Sequence, residues 1–134
     1  AALPAAASAK QAADLQADRQ ELVGRAALLD GRAADALAAF EQAAANRQQA
    51  IDYRGMARAL AQAGEAALKL GQSAEAAVFY LRAGRSSLLQ GDTAAATPQL
   101  KRAEELARQT SQTGIVEEIA RLRKAAAEKR TAGT

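Results

Sequence analysis

The stretch Gly64-Glu65-Ala66-Ala67-Leu68-Lys69-Leu70-Gly71-Gln72-Ser73 sets one glycine inside a helical pattern, a second at its end, and polar residues where a new helix starts. The same arrangement stands at Gly24 and Gly31 and at Gly84 and Gly91, each pair with six residues between its members. Gly31 and Gly71 lie forty residues apart, and Gly71 and Gly91 twenty. A fixed step of this kind is the mark of an internal repeat, here about twenty residues per helix and about forty per helical hairpin. After the turn is subtracted, such a helix is roughly 25 Å long, a usual size for stacked antiparallel pairs.

The segments between breaks are spaced by three and four: Leu22, Val23, Ala26 and Leu29 in one, Phe40, Ala43 and Ala44 in the next. This predicts helices over about 9–30, 33–47, 51–70, 73–90, 93–110 and 113–128. The fold class is therefore all-α, six helices in antiparallel hairpins. At Asp30-Gly31, Leu70-Gly71-Gln72-Ser73 and Gln90-Gly91-Asp92-Thr93, glycine takes the left-handed position after a helix and Ser or Asp caps the next. The fourth helix carries both Tyr80 and Gly84, which leaves two hairpin pairings of helices four and five open. Pro98 loses a backbone bond, so the fifth helix is expected to start late or bend there. Residues 1–8 read as a flexible Ala-rich tail, 9–128 as the repeat domain and 129–134 as a fraying end.

Composition points the same way. Alanine dominates, aromatics are 3% and the apolar fraction is 49%, so helices are favoured over strands and the core is thin. No Cys and no His occur, which removes thiolate chemistry, disulfides, imidazole bases and the usual zinc, copper and haem ligands. Eighteen basic residues against fifteen acidic ones form no stripe, so no nucleic-acid partner is expected. No uninterrupted apolar run of about 18 residues exists, so no transmembrane span is expected. The opening Ala1-Ala2-Leu3-Pro4-Ala5-Ala6-Ala7-Ser8-Ala9-Lys10 resembles a signal-peptide end or the tether of a lipid-anchored precursor. That favours a periplasmic or outer-membrane-associated setting, with the cytoplasm as the alternative if the stretch is only a trimmed tail.

These glycine pairs, together with Ala36, Phe40 and Ala43 after Gly31, Ala76, Tyr80 and Ala83 after Gly71, and Ala96, Leu100 and Ala103 after Gly91, resemble the tetratricopeptide repeat. Gly24 and Gly64 match that family's small-residue site in the first helix of a hairpin, and Ala-Thr-Pro-Gln-Leu at 96–100 is similar to Pro-bearing second helices of bacterial members. The forty-residue step resembles the long-hairpin variety, and the likeness covers about residues 17–128. In place of the large aromatic common early in each first helix stand Gln20 and Leu60. The resemblance implies a short solenoid whose concave groove binds a protein or peptide without catalysis.

The polar candidates for that groove are Glu21, Arg25, Arg58, Gln62, Glu65 and Lys69, a set of mixed charge that is also what any solvated helix face presents. Glu21 and Arg25 do not reproduce the Lys and Asn clamp by which some family members hold a terminal carboxylate. A second reading takes Leu28, Met56, Leu60, Leu68, Phe79 and Tyr80, opposite much Ala, as the lining of a cavity for a lipid or sterol; the plainer reading makes them core. Glu104-Glu105 and Glu117-Glu118 are adjacent, point to different helix faces and make poor acid/base pairs, and Ser86-Ser87 has no partner base near it in sequence. No enzyme activity, metal or cofactor is expected. Three hairpins with little aromatic burial also suggest a homodimer through an unsatisfied terminal hairpin.

Overall fold

The computed structural model describes residues 5–132, and the chain there is six helices joined by three-residue links. They are α1 (Ala5–Leu29), α2 (Ala33–Gln49), α3 (Tyr53–Lys69), α4 (Ser73–Leu89), α5 (Thr93–Gln109) and α6 (Thr113–Ala132). Because each link is so short, successive helices run antiparallel and pack side by side, α1 on α2, α2 on α3, α3 on α4 and α4 on α5. Helices α2 to α5 are each 17 residues long and begin at 33, 53, 73 and 93, so the repeating unit is a single helix plus its link, twenty residues in all.

Every link is the same turn. The third residue of each link donates its N–H to the carbonyl five residues back: Arg32 to Ala27, Asp52 to Arg47, Gln72 to Ala67, Asp92 to Ser87 and Gln112 to Ala107, at 2.8–2.9 Å. The second residue donates to the carbonyl three back, and together these bonds satisfy carbonyls that a helix end leaves unpaired. That geometry needs positive φ at the second position. Gly31, Gly71 and Gly91 supply it at 76°, 76° and 71°, and Ile51 and Ser111 adopt it at 57° and 58° without being glycine. Capping is less uniform. Asp52 accepts from Gly55 N–H and Asp92 from Ala95 N–H, whereas Ser73 is the first residue of α4, and Arg32 and Gln72 make no side-chain cap bond.

A second regularity sets the spacing of the helices. Gly24 lies under Phe40, Gly64 under Tyr80 and Gly84 under Leu100: a methyl group on Gly24 would stand 2.6 Å from the Phe40 ring, and on Gly64 2.7 Å from the Tyr80 ring. Ala44 and Leu60, both buried, hold the same two register positions between α2 and α3. Each helix thus presents a small residue to the helix after it and a large one to the helix before. Tyr80 and Gly84 on α4 belong to two different interfaces, so the two pairings open in the sequence are both made.

The pattern stops at α6. Glu104 occupies the small-residue position of α5, and Ala120, sixteen residues on, is exposed while Ile119 turns inward. Helix α6 packs more loosely, on both α5 and α4. It is fastened by a small cluster of Leu81, Leu100, Ala103 and Ile119, and by ion pairs from Glu104 to Arg123 (3.0 Å) and Arg85 to Glu118 (2.8 Å). Hydrogen bonding to Arg123 holds the Glu104 carboxyl below its ordinary value, burial opposes, and the Arg123 charge and Arg108 add to the lowering.

Three expectations are corrected. Residues 5–8 are helical rather than tail, because an Ala-rich run without a breaker extends α1 towards the chain start, and α6 likewise continues over 129–132; residues 1–4 and 133–134 lie outside the described residues. Helix α5 starts on time at Thr93 and carries the exposed Pro98 within it. Among the described residues no helix is long and apolar enough to cross a membrane.

Candidate binding groove

Because α3 and α5 both pack on α4 and not appreciably on each other, a groove of about 450 Å³ runs between them over the α4 side chains Tyr80 and Ser87. Its α3 wall carries Arg54, Arg58, Gln62 and Glu65, four positions on one helix face, and Ala95 and Gln99 come from α5. Tyr80 is half-buried and rests on Gly64, so the absence of a side chain at 64 lets the ring lie low enough to form a floor. Burial pushes the Tyr80 phenol above its ordinary value; the Arg102 charge opposes and Glu65 adds to the rise. The phenol therefore stays protonated at neutral pH, a neutral donor and acceptor.

Polar groups in the groove are unevenly satisfied. With its amide nitrogen turned inward, Gln99 donates to Ser87 Oγ (2.6 Å) and shares its other N–H between the Ala83 and Ala95 carbonyls (3.1 and 3.2 Å), so that the bonds to Ser87 and Ala83 tie α5 to α4. Arg54 reaches Asp92 at 3.7 Å and Arg58 reaches Glu21 at 3.1 Å. By contrast, Gln62 Oε1 is buried without a hydrogen-bond partner, and Glu65 makes no ion pair among the described residues. The groove thus offers Glu65 as an open acceptor, with Gln62 a second once its side chain turns outward, and asks a ligand for donors.

Of the polar residues named from sequence, Arg58, Gln62 and Glu65 line this groove. Arg25 and Lys69 are exposed and lie outside it, and Glu21 is buried in a different setting. There Arg47, only 6% exposed, donates from Nε to Glu21 (3.2 Å), from Nη2 to Asp18 (2.6 Å) and from Nη1 to Asp14 (3.4 Å), with Asp52 at 3.7 Å. Arg58 completes the cluster on Glu21. Although burial lowers it, the Arg47 pKa is raised on balance, because hydrogen bonds to Asp18 and Glu21 and their charges outweigh desolvation. Arg47 stands in a row whose equivalents at twenty-residue steps are Ala27, Ala67, Ser87 and Ala107, all buried. Its long side chain fastens α2 to α1, and Arg58 extends the fastening to α3, a structural role.

The apolar candidates take another place. Leu60 and Phe79 are buried, and Leu28, Met56, Leu68 and Tyr80 are partly buried against the main core of Ala27, Phe40, Ala63, Leu106 and neighbouring alanines. Only Tyr80 of the six lines the α3–α5 groove. Compared with protein-family models, with curated proteins and with solved structures, the chain finds no match in any of the three.

Proposed function

We propose that the chain is a non-catalytic binding module that takes an extended peptide segment in the α3–α5 groove. The observation that carries this reading is the unpaired, buried Gln62 Oε1 beside the unpaired Glu65 on the wall of a groove with an aromatic floor. A buried carbonyl without a partner costs about 1–3 kcal/mol, and a Gln62 side chain that turns outward onto a ligand N–H sheds that cost on binding. A peptide backbone supplies such a donor every residue, and a Lys or Arg side chain in the same segment meets Glu65. Arg54 and Arg58, already paired, set the rim. The expected ligand is therefore a short basic segment with an apolar residue over Tyr80. The resemblance to tetratricopeptide repeats supports the same reading, since it implies a groove of this kind.

Panning a random dodecapeptide display library on the full chain tests it. Selected peptides should be enriched in Lys or Arg, and their affinity should fall by about tenfold in Glu65→Lys and in Gln62→Leu, the loss of one charged or buried hydrogen bond. Peptides whose affinity is unaltered by both substitutions would reject the α3–α5 groove as the site.

A further inference from the structure

Where α6 departs from the repeat, a second groove opens. It has a volume of about 520 Å³ and lies between the C-terminal ends of α4 and α6; a neighbouring pocket of about 280 Å³, which shares Leu88, Ala126 and Arg130 with it, reaches Leu100. Its walls are Leu88 and Leu89 from α4 and Leu122, Ala125 and Ala126 from α6. Small residues at 125 and 126 leave it unfilled, and Leu89 is 71% exposed. Three cations surround this apolar floor, Arg85, Lys129 and Arg130, and Arg123 lines the neighbouring pocket. Arg85 is engaged by Glu118 and Arg123 by Glu104, but Lys129 and Arg130 have no carboxylate partner among the described residues.

Size and chemistry together select an occupant. A helical peptide of ten residues fills a cylinder of roughly 1,200 Å³, more than twice the space. An extended peptide would press its backbone amides against leucine and alanine side chains that cannot bond them. A sterol leaves both free cations unanswered. A single acyl chain ending in a carboxylate meets every feature: methylenes along Leu88, Leu89 and Leu122, and the anion between Lys129 and Arg130 at the mouth. We infer that the α4–α6 groove binds a free long-chain fatty acid, with Lys129 and Arg130 holding its carboxylate. This site is separate from the peptide groove and does not depend on it.

The test is titration of the full chain with cis-parinaric acid, a fluorescent fatty acid, followed by displacement with palmitate and with hexadecanol. One probe should bind per chain, and hexadecanol should displace it about tenfold less well than palmitate, since it lacks the charge. The double substitution Lys129→Glu with Arg130→Glu should weaken palmitate at least tenfold and leave hexadecanol unchanged. Ala125→Trp, at an exposed position, should fill the groove and abolish uptake of both, while Gln62→Leu should alter neither. Equal displacement by acid and alcohol, full binding by Ala125→Trp, or palmitate affinity unchanged by the charge reversal would overturn the inference. So would a chain that takes up no probe in solution yet sediments with phosphatidylglycerol vesicles, which would make the cations a surface for lipid headgroups.

Discussion

Replacing Ile51 with glycine should stabilise the protein, although it removes a large apolar side chain. Ile51 holds φ at 57°, in the second position of a turn whose equivalents are Gly31, Gly71 and Gly91, and it is 66% exposed. A residue with a Cβ in the left-handed region costs about 1–2 kcal/mol, most for a β-branched one, and little burial offsets that here. Glycine gains freedom in the unfolded chain worth about 0.5–1 kcal/mol, so the net gain is about 1 kcal/mol. For a chain of 134 residues that is a rise in Tm of roughly 3–5 °C. Circular dichroism during heating and urea titration measures both, and an unchanged urea m-value would locate the change in stability alone. Ala50→Gly, one residue earlier, is the control: Ala50 is fully buried at φ −79°, so the same new residue there should destabilise by about 1–2 kcal/mol. If Ile51→Gly lowered Tm, or matched Ala50→Gly in sign, the five links would not be one turn.

Arg47→Met should cost about 3–5 kcal/mol by leaving Glu21 buried with one partner instead of two, and adding Glu21→Met should recover part of that loss; a double variant no more stable than the single one would contradict the cluster as drawn. Because the Glu104 carboxyl is held below its ordinary value of 4.5, its fastening of α6 is complete above that value and fades as pH falls through the folded-state value; amide hydrogen exchange in α6, but not in α3, should quicken in that acid range. Self-association should run through α1, where Leu15, Leu22 and Leu29, at seven-residue spacing, and Val23 beside them are 58–89% exposed; Leu22→Asp should convert a dimer seen by sedimentation at tens of micromolar into monomer, and a wild-type monomer at that concentration would refute it.

Helix number and most boundaries were legible because Gly31, Gly71 and Gly91 announce their turns through backbone chemistry that few other residues share. The link at Ser111 was legible in the polar run 110–114, and the one before α3 was placed a few residues early, at 48–50; the left-handed backbone at Ile51 and Ser111 was not legible, since neither side chain advertises it, and their place in the twenty-residue step was the available signal. The same step would have exposed Arg47, the one long charged side chain in a row of Ala and Ser, and Glu104, the one large residue in a row of Gly24, Ala44, Gly64 and Gly84. Glu21 was mistaken for a groove residue because its partners lie 26 and 37 residues away, a distance no local pattern spans. Arg58, Gln62 and Glu65 were found together because one helix face gathers them without help from tertiary structure. The α4–α6 groove comes from a misfit between helices and has no signature of its own in the sequence.

That misfit also gives the chain a weak end. With each interface built from one small and one large side chain except the last, strain applied along the row of helices should peel α6 away first, while α1 to α5 hold as a block. A ligand seated between α4 and α6 would act as a latch on that hinge, and its presence should show mechanically, as a higher force for the first rupture and no change in those that follow.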